Sequence, residues 1–162
     1  MAIGQGIAVT PIQLVMAVSV IANGCYLVTP FVVSETKSSS GIIDQKQSGE
    51  STQIISSQTA QEVKDMMLSV VEDGGTGTQA GIEGIKVCGK TGTAQKANKN
   101  SAGYDEGLVI TSFIGFAPYE DPEIACIVII DEPKGNEEEI WGGTVAAPVF
   151  SDLVKFALSK IH

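Results

Sequence analysis

The residues best suited to chemistry stand together at Lys90-Thr91-Gly92-Thr93. On an extended backbone, side chains alternate between faces, so the alcohols of Thr91 and Thr93 project side by side. Two neighbouring alcohols form a receptor for a carboxylate. Gly92 carries no side chain, so another backbone can approach closely. A peptide can then lie along the strand as an added neighbour, held by main-chain hydrogen bonds. Lys90 supplies positive charge for an anionic ligand and can bias nearby proton transfers.

The same stretch also fits a phosphate-binding pattern. Gly84-Ile85-Lys86-Val87-Cys88-Gly89-Lys90-Thr91 matches G-x-x-x-x-G-K-[ST] letter for letter. Ile127-Val128-Ile129-Ile130-Asp131-Glu132 even resembles the apolar strand whose terminal acid holds magnesium in such proteins. A phosphate cradle, however, needs a strand before its first glycine and a helix directly after its lysine. Gly74 to Gly84 offers no strand, and Thr91 to Asn100 shows no apolar periodicity. The extended reading is preferred.

The elements that must position these residues are legible along the chain. Thr10, Pro11 and Gln13 form a capping box with proline at the first helical position, and Asn23-Gly24 ends that helix. Its apolar residues, from Ile12 to Ile21, cover nearly every face, which predicts burial on most sides. Tyr26 to Val33 reads as a short strand broken by Pro30, and Ser34 to Gln53 as a polar loop or surface hairpin. A second helix begins near Ser57 or Thr59. Its stripe is Val63, Met66, Met67, Val70 and Val71, with both methionines expected in the core, and the glycines from Gly74 stop it. Three strands follow, at Ile85–Thr93, Leu108–Phe116 and Ile124–Ile130, with a polar loop over Lys96–Gly107 and a tight turn over Pro118–Pro122. The last helix begins at Pro148 and buries Val149, Phe150, Leu153, Val154, Ala157, Leu158 and Ile161. This order points to an α+β fold with an antiparallel sheet flanked by helices. The Leu108–Phe116 strand is expected in the middle, with the last helix on one face and the two earlier helices on the other side.

Composition narrows the function classes. The net charge is −9, and every basic side chain is lysine. Without arginine, nucleic acid is a poor partner, since phosphate and base contacts favour the guanidinium fork. One histidine, His162, and three scattered cysteines, Cys25, Cys88 and Cys126, argue against a metal site and against a histidine-based triad. No cofactor is expected. Trp141 is expected to anchor the last loop. The longest apolar run, Ile12 to Ala22, is too short to span a bilayer. Met1-Ala2-Ile3 runs straight into Gly4-Gln5-Gly6 without a basic leader, so the chain reads as a cytoplasmic protein or as a piece of a longer precursor.

With its flanks, Lys90-Thr91-Gly92-Thr93-Ala94-Gln95 resembles the third active-site motif of class B penicillin-binding proteins. Ile3-Gly4-Gln5-Gly6, Val9-Thr10-Pro11-Ile12-Gln13-Leu14 and Ala22-Asn23-Gly24 resemble the loop and helix that precede it in that family. Ser112 to Pro118 resembles the family's next strand, and Gly142 to Phe150 the start of its final helix. The resemblance covers essentially the whole chain in the right order. It implies that residues 1–162 are the C-terminal portion of a penicillin-binding transpeptidase domain, the second half of the serine D,D-transpeptidase and β-lactamase-like fold. It also implies a peptidoglycan stem peptide as substrate, β-lactam antibiotics as ligands, and a place at the extracytoplasmic face of the bacterial cell membrane. By the same resemblance, Thr91, Gly92 and Thr93 would bind substrate. Lys90 would tune the proton network, and the Thr93 N–H would give half of an oxyanion hole.

The sequence departs from that family's pattern of S-x-x-K, S-x-N and K-T-G. No S-x-N triplet occurs, and the one S-x-x-K, Ser34-Glu35-Thr36-Lys37, sits in a polar stretch that reads as a solvated loop. The nucleophile is therefore expected to come from a missing N-terminal half of the domain, and this chain alone is expected to be inactive. Without that half the apolar sheet edge would be open, so self-association or recruitment of the missing half is expected. A non-catalytic binder of β-lactams or peptide carboxylates is the first alternative, and the P-loop protein the second.

Overall fold

The computed structural model describes residues 7–33, 35–41, 43–45, 51–98, 102–136 and 139–161. Met1 to Gly6, Ser34, Asn100 and His162, which figure in the sequence reading, lie outside the described residues, as do Glu137 and Glu138.

Helix α1, Pro11–Ala22, starts as its capping box requires. The Thr10 alcohol accepts the Gln13 N–H, and the Gln13 side chain accepts the Thr10 N–H at 2.8 Å. Gly24 follows with φ +80°, the left-handed geometry that a glycine takes up without strain. Short strands β1 (Tyr26–Leu27) and β4 (Thr52–Gln53) pair antiparallel, as do β2 (Glu35–Lys37) and β3 (Ile43–Gln45), so the polar stretch folds as a surface hairpin. Only Tyr26–Leu27 of the expected Tyr26–Val33 strand pairs. Helix α2, Ser57–Ser69, is capped by Ser56, whose alcohol accepts the Thr59 N–H at 3.0 Å.

The main sheet has three antiparallel strands in the order β5 (Cys88–Ala97), β6 (Tyr104–Ala117), β7 (Ile124–Asp131). The central strand is the expected one. β5 begins three residues later than expected and continues into the start of the expected loop, to Ala97, because β6 reaches back to Tyr104 to pair with it. The Lys96 ammonium closes this end of the sheet, pairing with Asp131 at 2.9 Å and with Glu132.

Two apolar layers cover the sheet. Phe113 and Val128 meet Phe150, Val154 and Leu158 of helix α3, Ala147–Ile161. The Phe113 and Phe150 rings lie 4.8 Å apart and tilted by 58°, a geometry worth about 0.5–1.5 kcal/mol beyond area burial. On the opposite face, Cys88 and Phe116 pack with Met67 of α2 and with Val18 and Ile21 of α1.

Three burial expectations need correction. Met66 is 66% exposed and only Met67 is core, because α2 turns one narrow stripe to the sheet. Helix α1 is not buried on most sides. Val20 is its one buried residue, while Ile12 and Leu14 stay exposed, Leu14 on the wall of an open cavity. In α3, Val149, Leu153 and Ile161 are exposed and the buried line is Ala147, Phe150, Val154 and Leu158. No helix among the described residues is long and apolar enough to cross a membrane.

Candidate functional site

Lys90 to Thr93 lie in the middle of β5, extended as their alternation predicts. Among the described residues β5 pairs with β6 alone, so N–H and C=O groups of alternate residues face its outer side. The register sets Thr91 opposite Phe113 and Thr93 opposite Thr111, so both alcohols share the α3 face of the sheet. Lys90 and Gly92 sit opposite Ile114 and Ser112 on the other face. The phosphate-loop reading is overturned here. Strand continues for seven residues past Lys90, where a phosphate cradle requires a helix N-terminus. A Cβ on Gly89 would stand 2.2 Å from the Phe113 ring, so that glycine serves close packing.

Both threonine alcohols already have partners. The N–H of Gly142 donates to Thr93 Oγ1 at 3.2 Å. Thr76 Oγ1 lies 3.0 Å from Thr91 Oγ1. These contacts come from two glycine-rich loops. One follows α2. There a Cβ on Gly75 would meet the Val70 carbonyl at 2.2 Å, and one on Gly77 would meet the Phe113 ring at 2.7 Å. The other is a single wide helical turn, Gly142–Ala146, leading into α3. Gly142 lies on the β5 backbone, where a Cβ would stand 2.6 Å from the Gly92 oxygen. Gly143 covers Thr76, where a Cβ would stand 2.1 Å from its carbonyl oxygen.

Lys90 is exposed, and its Nζ donates to the Thr91 carbonyl at 2.7 Å. Among the described residues no carboxylate pairs with it, although the chain is strongly acidic. On its face of the sheet a cavity of about 440 Å³ opens, walled by Leu14, Ile110, Ile114, Ile127 and Ile129, and all four residues Lys90 to Thr93 contribute to the wall. An apolar hollow with a few convergent polar groups is the usual form of a ligand site. A Cβ on Gly92 would stand 2.6 Å from Ser112 Oγ, so the bare glycine keeps that wall open.

The remaining sequence candidates separate from this site. Cys88 is fully buried against α2, and burial pushes its thiol up to about 12. Trp141 is 57% exposed rather than anchoring its loop. Lys37 is exposed on the β2–β3 hairpin and pairs with Glu35 at 3.1 Å. Among the described residues no cluster of His, Cys, Asp and Glu could hold a metal ion. Sequence reasoning missed Thr76, Gly142 and Thr111. The signal for Thr76 was present, a threonine locked between two glycines, whereas Gly142 was read only as a helix start. Thr111 is completely buried beside Thr93, and its Oγ1 has no hydrogen-bond partner among the described residues.

Comparison with known proteins bears on the family and the fold. The family model described as the penicillin binding protein transpeptidase domain matches residues 1–155. The chain is 41% identical over 165 residues to the stage V sporulation protein D of Bacillus subtilis, covering 99% of this chain and 24% of that protein. It is 31% identical to the penicillin-binding protein PbpB of Mycolicibacterium smegmatis, covering 98% of this chain and 25% of that protein. The chain thus spans about a quarter of the length of these curated relatives. Among solved structures, penicillin binding protein 3 of Mycobacterium tuberculosis in complex with ampicillin superposes with a TM-score of 0.86 at 29% identity, over 99% of this chain and 37% of that one. The transpeptidase domain of Burkholderia pseudomallei penicillin-binding protein 3 does so with a TM-score of 0.77 at 34% identity, over 98% and 44%. With an α+β fold shared along its length and a family model matched over residues 1–155, the chain belongs to the penicillin-binding protein transpeptidase family.

Proposed function

We propose that this chain is the C-terminal portion of a peptidoglycan D,D-transpeptidase domain and supplies its carboxylate-binding strand. Thr91 and Thr93 hold the terminal carboxylate of a stem peptide, or the carboxylate of a β-lactam that mimics it. The ligand backbone lies against Gly92 along the open side of β5. The Thr93 N–H contributes to an oxyanion hole, where preorganised donors stabilise a tetrahedral intermediate. Lys90 holds positive charge beside the reacting groups. The observation that carries this reading is the pair of alcohols on one face of an edge strand, next to a lysine that no carboxylate among the described residues pairs with.

The nucleophilic serine, its lysine and the second serine come from the missing N-terminal half of the domain. That half covers the cavity beside α1 and the free edge of β7, and the assembled domain works at the extracytoplasmic face of the bacterial membrane. Relatives named above include penicillin-binding proteins, which supports that reading. The lack of any S-x-N triplet in this sequence favours a chain that, by itself, binds carboxylates without being acylated. Incubation with a fluorescent penicillin followed by intact mass spectrometry tests this. The expected result is no covalent adduct on this chain alone. An adduct on Ser34 would overturn the assignment of the nucleophile to another segment.

A further inference from the structure

We infer that Thr76 is a positioning residue of the carboxylate site, acting through Thr91. The inference rests on the carboxylate-binding role proposed for Thr91 and Thr93.

The argument begins with hydrogen counting. A threonine alcohol has one hydrogen to donate and two lone pairs to accept with. A carboxylate only accepts, so each alcohol must keep its single hydrogen for the ligand. For Thr93 this is settled by its neighbour, because the Gly142 N–H can only donate and so occupies a lone pair of Oγ1. For Thr91 the neighbour is another alcohol at 3.0 Å. When a carboxylate accepts the Thr91 hydrogen, the Thr76 hydroxyl must be the donor of the pair. Both receptor alcohols are then donated to from behind and donate forward. Donation into an alcohol also strengthens its own outgoing hydrogen bond.

Local structure holds Thr76 to that task. The turn after α2 is pinned by the Gly77 N–H donating to the Val70 carbonyl and the Gly75 N–H donating to the Glu72 carbonyl, both at 2.9 Å. Gly75, Gly77 and Gly143 each lie where a side chain would collide with backbone or with the Phe113 ring. The loop therefore cannot shift toward or away from β5 without unpacking. Thr76 itself is exposed, so its alcohol is not needed to satisfy a buried group. A purely structural role leaves that exposure without a purpose.

The test is an NMR titration of the full chain with ampicillin and with its methyl ester, which lacks the anionic carboxylate, read at the Thr91 and Thr93 amides. Amide dispersion reports that each variant is folded. Thr76→Val is expected to reduce the preference for acid over ester by about fivefold, the scale of a weakened charge-assisted hydrogen bond. Thr76→Ser restores the alcohol and is expected to restore the preference. In a Thr91→Val background, Thr76→Val is expected to have no further effect, since the relay has lost its middle member. An equal loss for acid and ester, or failure of the serine variant to rescue, would overturn the inference. An effect of Thr91→Val with none from Thr76→Val overturns the inference alone. No acid preference in the unmodified chain, or one that Thr91→Val leaves intact, overturns the carboxylate-site reading itself.

Discussion

Gly142 and Thr93 are 49 residues apart in sequence, yet the N–H of one donates to the side-chain oxygen of the other at 3.2 Å. The turn into the last helix is thereby fastened to the strand that carries the receptor alcohols. The fastening depends on Gly142 having no side chain. A Cβ there would stand 2.3 Å from the Ser112 oxygen, 2.6 Å from the Gly92 oxygen and 3.0 Å from the Gly92 nitrogen.

All three of those atoms are backbone and none can turn aside. Gly142→Ala is therefore expected to lift the turn off β5 and to cost about 1–3 kcal/mol by overpacking. Urea denaturation measures the loss. The same variant should weaken the acid preference at Thr93, because that alcohol loses its inward donor.

Thr111 makes the opposite prediction. Its alcohol is fully buried without a partner among the described residues, and an unmade buried hydrogen bond is a standing cost. Thr111→Val keeps the shape and removes the polar atom. The variant is expected to be more stable by about 1 kcal/mol, read as a higher denaturation midpoint with an unchanged slope.

The Cys88 thiol predicts an alkaline weakness. Burial raises it from 9.0 to about 12 in the folded chain. Between those values the unfolded chain has already lost the proton that the folded chain keeps. The folded state binds more protons, so stability falls as pH rises through this window. Cys88→Ala is expected to flatten that decline in unfolding measured from pH 8 to 11. At pH 8 a thiol reagent should leave Cys88 untouched until the chain unfolds.

Lys90 is expected to set the salt dependence of anion binding. It is exposed and no carboxylate among the described residues pairs with it, so its attraction for a ligand carboxylate is screened by added salt. Lys90→Gln should lower the affinity for ampicillin by up to about tenfold at low ionic strength and remove most of the salt dependence. Titrations at two salt concentrations check both effects.

The outer edge of β7 predicts association. Among the described residues β7 pairs only with β6, and Ile129 is 41% exposed beside the open cavity. An unpaired apolar edge is a template for another strand. The chain alone is expected to elute in size-exclusion chromatography with a concentration-dependent volume, and Ile129→Lys to shift it toward monomer. A clean monomer at all concentrations would count against this.

Much of this protein was legible without coordinates because its signals are local. The Thr10 to Gln13 capping box depends on four consecutive residues, and it forms as written. The strands were found from β-branched runs, and alternation alone placed Thr91 and Thr93 on one face. Strand ends were less legible. β5 runs on to Ala97 only because Tyr104 is there to pair with it, and pairing is a property of two segments. Burial of apolar helix residues was misjudged for a similar reason. Met66 and Ile12 are as apolar as their neighbours, and only packing decides which of them meets a partner.

The sequence determined which backbone would be extended at Lys90 to Thr93, since strand propensity and side-chain alternation are settled within a few residues. Only the tertiary structure decided that Thr76 would stand behind Thr91 and Gly142 behind Thr93. Those contacts join segments 15 and 49 residues apart, and close packing of α2, α3 and four bare glycines, rather than any local preference, sets their distances.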